Sequence, residues 1–356
     1  MNADGPLQTL PQTLPAAWYV DEAVYRRERE RIFARNWWLF GPAAELSEPG
    51  AYRAMTLCGW PLFVIRGTDG VLRGFHNVCR HRAAALLPEG AGACRVIRCP
   101  YHCWTYETDG RLKTAPKFGD DPGFQPADYG LFPIRVETWR DLIFVCMDAA
   151  APDLRSWLGA ADRLCQDFPT PAALDYHGCF TVEGAANWKT YCDNTVEGYH
   201  LPFVHPRLSK SVRGGTVEIR AYDEGRTIAF HVGYGATSDG ATLRGAEGLW
   251  IYKYPAFQLV AGVKVFKAER IEPLGPGGLR STNWSWYGDL PQDQRDDAFA
   301  WARQIVEEDL GICETVQINL EAGVYQVGRL SPDQERHVAR FQDLVRTALR
   351  DEAPPT

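Results

Sequence analysis

No run of apolar residues in this 356-residue chain approaches the roughly 20 that a membrane span requires. Residues 1–15 lack the basic stretch followed by an apolar one that marks a secretory leader. Positive charge is not in excess: 38 Lys and Arg face 45 Asp and Glu, a net −7, which argues against nucleic acid or an anionic membrane as partner. There is no internal repeat and no low-complexity tract beyond the proline-bearing ends. The Gly-rich dinucleotide fingerprint and any flavin motif are missing too, so the chain has no nucleotide cofactor of its own. What is present is ordinary for a globular protein, 45% hydrophobic and 23% charged, and long enough for about two domains. Ten cysteines without a leader point to reduced thiols in a cytoplasm rather than to a disulfide framework. Cys58, Cys94, Cys146, Cys165, Cys179 and Cys313 sit among apolar neighbours and are expected as small buried residues.

Two short pairs carry the chemistry of the first half. Cys79-x-His81 and Cys99-x-x-His102 are separated by seventeen residues, each following a short apolar stretch, Val71 to Phe75 and Cys94 to Ile97. A Rieske [2Fe–2S] centre needs this inventory: two thiolates on one iron and two neutral imidazoles on the other, which raises the reduction potential. Structural zinc also accepts two Cys and two His, but usually as Cys-x2–4-Cys with His-x3–5-His, whereas here each loop gives one of each.

The surrounding pattern separates domains. Asp21 to Asn36 is predicted as one helix with Asp21 as N-cap. Between Gly50 and Asp148 the chain turns to short β runs (Val64-Ile65, Val71 to Phe75, Val96-Ile97, Thr105-Tyr106, Ile134 to Thr138, Leu142 to Met147), broken at Gly67 to Gly70 and Asp109-Gly110. Helices are predicted over Asp153 to Asp167 and Asn187 to Tyr199. Strands follow at Val217 to Val232, Leu249 to Val260, Val263 to Glu272 and Leu279 to Trp286. Two helices close the chain, Gln292 to Gln317 and Pro332 to Leu349, the second capped by Ser331. The resulting expectation is an N-terminal helical segment (1–48), an all-β cluster domain (49–150) and a second domain (151–356).

The second constellation runs from Asn187 through Asp193-Asn194 and Glu197 to His200 and His205. Two histidines five apart can face one metal if the helix stops between them, and Leu201-Pro202 supplies the break. Two imidazoles want one carboxylate to complete a facial triad that leaves positions open on Fe(II). Glu307-Glu308-Asp309 offers candidates, and Asp309, followed by Leu310, Ile312, Cys313 and Val316, belongs near a buried face.

These motifs resemble the catalytic α component of the Rieske non-haem iron oxygenases, the ring-hydroxylating and choline-monooxygenase-like group. The resemblance covers nearly the whole chain: Trp18-Tyr19 with Trp37, both cluster loops, Asn187 to His205, and the tail from Glu308-Asp309 to Gly328-Arg329-Leu330-Ser331. It implies an α+β fold in which a small all-β Rieske domain accompanies a helix-grip-like catalytic domain with an antiparallel sheet and C-terminal helices. It implies a [2Fe–2S] cluster on Cys79, His81, Cys99 and His102, and a mononuclear Fe(II) on His200, His205 and Asp309. The implied catalytic positions are Asn194 and Glu197, with Glu197 linking His102 of a neighbouring copy to His200 in a ring of three. Glutamate stands where aspartate is more usual, which resembles members acting on quaternary ammonium compounds. Ala83 and Cys103 replace the glycines common in the family's loops, and Cys103 is assigned beside the cluster rather than on it.

A chain of this kind takes O2, a small organic substrate and electrons from a separate NAD(P)H-dependent reductase, directly or through a ferredoxin. The aromatic residues Trp250, Tyr252, Tyr254, Phe257, Phe266, Trp284, Trp286 and Tyr287 offer a cage for a methylated ammonium. They also offer a platform for an aromatic acid whose carboxylate meets Lys264, Lys267 or Arg270. Core filling is the simpler role for most of them. An electron carrier without oxygenase activity and a zinc-stabilised scaffold are the competing functions.

Overall fold

A computed structural model of the chain describes residues 12–211, 216–233 and 247–350; of the N-terminal lead, residues 1–11 lie outside it. The chain forms two units, residues 34–154 and residues 1–33 with 155–356. Among the described residues no helix is long and apolar enough to cross a membrane.

Residues 34–154 contain ten strands: β1 (Trp38–Pro42), β2 (Ala51–Leu57), β3 (Trp60–Arg66), β4 (Leu72–His76), β5 (Gly90–Ala93), β6 (Ile97–Arg98), β7 (Thr105–Tyr106), β8 (Leu112–Thr114), β9 (Pro133–Trp139) and β10 (Leu142–Cys146). Seven form an antiparallel sheet in the order β1-β10-β9-β4-β3-β2-β5, and β6-β7-β8 form a small second sheet. The inner strands are the most apolar: Leu62 to Ile65 on β3 and all of β10 are buried. The cluster loops leave β4 and β6, close to the apolar runs expected to precede them. Strand β1, assigned by sequence to the N-terminal segment, hydrogen-bonds to β10 and so lies within this unit. Gly110 turns β7 into β8 at φ +90°, where a side chain would strike the Phe75 ring.

The other unit holds α1 (Ala17–Val20), α2 (Glu22–Glu28), α3 (Leu154–Leu158), α4 (Ala160–Leu164), α5 (Trp188–Thr195), α6 (Leu201–Val204), α7 (Pro206–Ser211), α8 (Gln292–Glu321) and α9 (Arg336–Leu349). Its sheet is antiparallel, in the order β11 (Asp175–Gly184), β17 (Gly278–Tyr287), β16 (Val265–Gly275), β15 (Phe257–Gly262), β14 (Glu247–Lys253), β13 (Thr227–Gly233), β12 (Thr216–Tyr222). Several expected elements divide. The helix from Asp21 keeps its Asp21 cap but becomes a π-turn over Arg29–Phe33 and stops there. Gly159 at φ +56° separates α3 from α4. Val217 to Val232 is two strands joined by a turn at Asp223–Gly225, and Leu249 to Val260 likewise breaks between Lys253 and Phe257. Helix α9 begins at Arg336, because Ser331 Oγ caps Gln334 in the preceding turn.

Register fixes which side chains share a face. Phe180, Asn283, Glu269, Gln258 and Tyr252 are cross-strand partners in one row, and Ser285, Lys267, Val260 and Trp250 form the next row on that face. Helices α5 and α8 cover it: Tyr191 bonds Glu269, Thr195 Oγ1 accepts from Gln258, and Phe299 packs edge-on against Phe180. Phe257, Phe266, Arg270, Trp284 and Trp286 alternate to the opposite face, so the expected aromatic cage does not assemble as one surface. Two of the cysteines expected to be buried are not fully so. Cys94 is half-buried, and Cys179 is exposed because it sits on edge strand β11 and points away from the helices. The N-terminal segment is tied to α5 by a buried ion pair, Lys189 Nζ to Glu28 Oε1 at 2.6 Å, with Trp188 Nε1 donating to Glu28 Oε2 at 2.9 Å.

Candidate functional site

Within residues 34–154 the two cysteine–histidine loops are copies of one another. The Cys79 amide donates to the Ala84 carbonyl (2.8 Å) and the Ala83 amide returns to the Cys79 carbonyl (3.0 Å). In the second loop the Cys99 amide donates to Trp104 (2.8 Å) and the Cys103 amide to Cys99 (3.1 Å). Each loop closes through a left-handed residue four places after its cysteine, Ala83 at φ +57° and Cys103 at φ +58°. That conformation costs a residue with a side chain ~1–2 kcal/mol. Cys103 is exposed, and the contact it makes with Cys99 is through its backbone amide.

Four donors converge there. Cys79 and Cys99 are buried and lie side by side, with the Tyr101 and His102 amides directed at the Cys99 sulfur. The His81 and His102 rings stand 4.6 Å apart, and Nδ1 of each is buried with no hydrogen-bond partner among the described residues. Buried imidazole nitrogens of that kind need an acceptor of their lone pairs, which a [2Fe–2S] cluster supplies. The His81 ring stacks on Trp104 at 4.9 Å and 7°. The Tyr106 hydroxyl lies 3.3 Å from Cys79 Sγ and accepts from the Arg80 amide, and burial pushes its pKa up so that it stays protonated. A neutral donor on a ligating sulfur withdraws electron density and raises the potential. Sequence reasoning treated Tyr106 only as a strand residue; its role depends on β7 passing beneath the first loop.

In the other unit, Asn187 caps α5 through the Lys189 amide at 2.9 Å. The helix ends at Thr195, earlier than expected, because the Glu197 carboxylate takes the Tyr199 and His200 amides that a continuing helix would use. His200 and His205 then bracket the one-turn helix α6 as its N-cap and C-cap, with Pro202 between them. His200, His205 and Asp309 offer one ligand atom each, all within 4.8 Å of one another. Asp309 Oδ1 lies 2.8 Å from His205 Nε2 and 3.5 Å from His200 Nε2.

Both imidazoles are held from behind. His200 Nδ1 meets Glu197 Oε1, and His205 Nδ1 meets Glu308 Oε2 at 2.6 Å. Gln304 steadies the other Glu308 oxygen at 2.7 Å. Asn194 Nδ2 donates to Asp309 Oδ1 at 2.6 Å. Burial pulls the His205 pKa down, but its bonds to Asp309 and Glu308 outweigh this and leave it raised. A carboxylate behind each ring fixes the proton on Nδ1 and frees Nε2 for a metal, the arrangement that orients ligating histidines. The donor set is that of a two-histidine, one-carboxylate iron site. Glu197 is buried rather than solvated. Glu308 was passed over by sequence reasoning, since nothing local distinguishes it from Glu307, which faces solvent and pairs with Arg303.

Comparison with known proteins agrees with both centres. Residues 36–131 match the Rieske [2Fe-2S] domain model, and residues 171–351 match that of the ring hydroxylating alpha subunit catalytic domain. The carnitine monooxygenase oxygenase subunit of Acinetobacter baumannii is 31% identical over 94% of each chain. The chloroplastic choline monooxygenase of Spinacia oleracea is 28% identical over 95% of this chain and 78% of its own. Among solved structures, a quaternary ammonium Rieske monooxygenase studied for carnitine oxidation and inter-subunit electron transfer superposes with a TM-score of 0.85 at 28% identity, covering 96% of each chain. Naphthalene 1,2-dioxygenase of Rhodococcus, at 20% identity and a TM-score of 0.76, shares the fold.

Proposed function

The chain belongs to the Rieske non-haem iron oxygenases as a catalytic α component, and from that premise we propose that it oxidises a small quaternary ammonium compound at a carbon attached to nitrogen. The observation that carries the class is the pairing of two donor sets in one chain, the four-donor cluster loops and the His200–His205–Asp309 triad. An electron carrier would have no use for the second, so the oxygenase stands over the carrier. Family membership gives each chain one Rieske cluster and one mononuclear iron, which when bound supply single electrons and dioxygen activation.

The residues divide the remaining work. Cys79, Cys99, His81 and His102 hold the cluster; His200, His205 and Asp309 hold the iron. Glu197 and Glu308 keep the two imidazoles in the ligating tautomer, and Asn194 fixes the Asp309 carboxylate by its 2.6 Å bond. In this reading Glu197 also reaches His102 of a neighbouring copy in a homotrimer, carrying the redox-linked proton between two rings. The exposed aromatic rings of Tyr199 and Phe203 beside Glu197 support a partner surface there. Electrons arrive from an NAD(P)H-dependent reductase in this reading, which the missing Gly-rich dinucleotide fingerprint supports. Ten cysteines, with no disulfide among the described residues, support a reducing compartment, which we take to be the cytoplasm.

The quaternary ammonium substrate is supported by the carnitine and choline monooxygenases among the relatives. Hydroxylation uses O2, two electrons and two protons and releases one water. The hydroxylated carbon then expels its amine and becomes an aldehyde. Attack on a methyl group yields formaldehyde, and attack on the chain methylene yields trimethylamine with a longer aldehyde. A single turnover tests this without a reductase: reduced protein is mixed with O2 and a trimethylammonium compound. Amine or formaldehyde should appear in step with cluster oxidation. Cluster oxidation without either product across a panel of such compounds, with a phenol or diol formed from an aromatic acid, would replace the proposal.

A further inference from the structure

Strand β16 places Lys267 and Glu269 two residues apart on the sheet face that α5 and α8 cover, about 7 Å along the strand from each other. Neither has an ionic partner among the described residues. Glu269 is buried and its Oε1 accepts from Ser281 Oγ at 2.6 Å and from Tyr191 Oη at 3.1 Å, both neutral donors. The charge of Asp309 acts on both Glu269 and Tyr191, which puts this carboxylate on the iron side of the wall. Among the described residues the Lys267 ammonium donates to the Ala298 carbonyl, 3.4 Å away near the start of α8, and stands 5.8 Å from the centre of the Tyr287 ring.

Around Lys267 the donors outnumber the acceptors. Ser285 is its direct cross-strand partner, and Tyr287 lies next to Ser285 on the same face. Both residues are 1% exposed, and among the described residues neither hydroxyl has a partner beyond the other. The ammonium and the two hydroxyls carry more N–H and O–H donors than the one carbonyl and the hydroxyl oxygens accept, and an anion would satisfy the surplus. Glu269 presents the converse, a carboxylate with no cation. Burial pushes the Lys267 pKa down to about 8 and that of Glu269 up to about 7, the strain expected of charges awaiting counter-ions. Lys264 and Arg270, the other cations considered for a substrate carboxylate, are engaged elsewhere: Lys264 donates to the Asp289 carbonyl, and Arg270 stacks on Trp284 on the opposite face.

We propose that this wall is a two-pole site for a zwitterion, with Glu269 facing the substrate ammonium and Lys267, Ser285 and Tyr287 binding a carboxylate at its other end. The orientation follows from the reach of the Asp309 charge, which acts at the Glu269 end, so the carbon next to nitrogen is presented towards the iron site. A carboxylate-bearing betaine is thereby selected over a cation such as choline, which leaves the Lys267 end unsatisfied. This deepens the quaternary ammonium reading and rests on it.

The test is calorimetric titration of the metal-loaded protein with γ-butyrobetaine and with butyltrimethylammonium, which keeps the ammonium and chain but lacks the carboxylate. Wild type should prefer γ-butyrobetaine by at least about tenfold. That ratio should collapse towards one in Lys267→Met, while Glu269→Gln should weaken both ligands and keep the ratio. Equal affinity of the two ligands for wild type would overturn the carboxylate pole while leaving the quaternary ammonium reading in place. Binding of neither would overturn both. An unchanged ratio in Lys267→Met, with the cluster spectrum intact, would also refute the assignment.

Discussion

Removing the Glu308 carboxylate should loosen iron at the mononuclear site and leave the rest of the molecule as it is. The bond from His205 Nδ1 to Glu308 Oε2 is 2.6 Å long, and its acceptor is held in place by Gln304, so the imidazole is oriented by a charge-assisted interaction that needs no reorganisation. Outer partners of this kind contribute about 10–100-fold to metal affinity, or about 1.4–2.8 kcal/mol. Glu308 is about one-third exposed, at 29% of its side chain, which places the effect toward the lower half of that range. Glu308→Ala should therefore lose iron about tenfold more readily than wild type, and Glu308→Gln, which keeps an acceptor without the charge, should fall between them. The assay is equilibrium against a graded series of Fe(II) chelators, with cluster absorbance as the internal measure of intact protein. Glu307→Ala is the control, because the Glu307 carboxylate pairs with Arg303 at the surface. Equal iron retention in the Glu308 and Glu307 variants would refute the reasoning.

Three further outcomes follow from the packing. Glu28→Ala strands Lys189 without its buried partner and should cost about 3–5 kcal/mol in guanidinium unfolding, most of it recovered when Lys189→Met is added; a loss below about 1 kcal/mol would contradict this. Ala83→Gly and Cys103→Gly each relieve a left-handed residue and should stabilise the cluster-bearing unit by about 1 kcal/mol, seen as a higher Tm with an unchanged cluster spectrum; a lower Tm would count against strain there. Burial raises the Asp193 pKa from 3.8 to about 7, so the folded state favours its protonated form, and this contribution is full at low pH and lost as pH rises from about 4 through about 7. Asp193→Asn keeps an acceptor for Tyr19 and Gln342, and the difference in stability between wild type and variant should move in the variant's favour by up to about 1.4 kcal/mol per pH unit over that range; parallel pH curves would refute it.

The parts legible in sequence were those whose partners lie close along the chain. Each cluster loop carries its cysteine, its histidine and its closing left-handed residue within five positions, and His200 and His205 give two of the three iron ligands across one helical turn. Asp309 comes from a helix more than a hundred residues later; the apolar residues after it pointed to a buried face, and the family resemblance made it the third ligand. Glu308 could not be told from Glu307 because the choice depends on the rotation of α8 against His205. The aromatic strands failed for a related reason. Alternation shows that two faces exist, but the phase that puts Trp250 and Tyr287 with Glu269, and Trp284 and Phe266 opposite, is set by cross-strand register. Strand β11 was missed because its Asp, His, Gly and Glu give a weak β pattern, and pairing with β17 holds it in place.

The central claim is that one chain holds two separate metal centres, and it is tested by iron and acid-labile sulfide analysis with EPR on wild type and a His200→Ala/His205→Ala double variant. Wild type should contain about three irons and about two sulfides per chain and show a Rieske signal on reduction. The double variant should lose one iron and keep both sulfides and the signal. A colourless, zinc-containing wild type, or a double variant with its full iron content, would contradict the account.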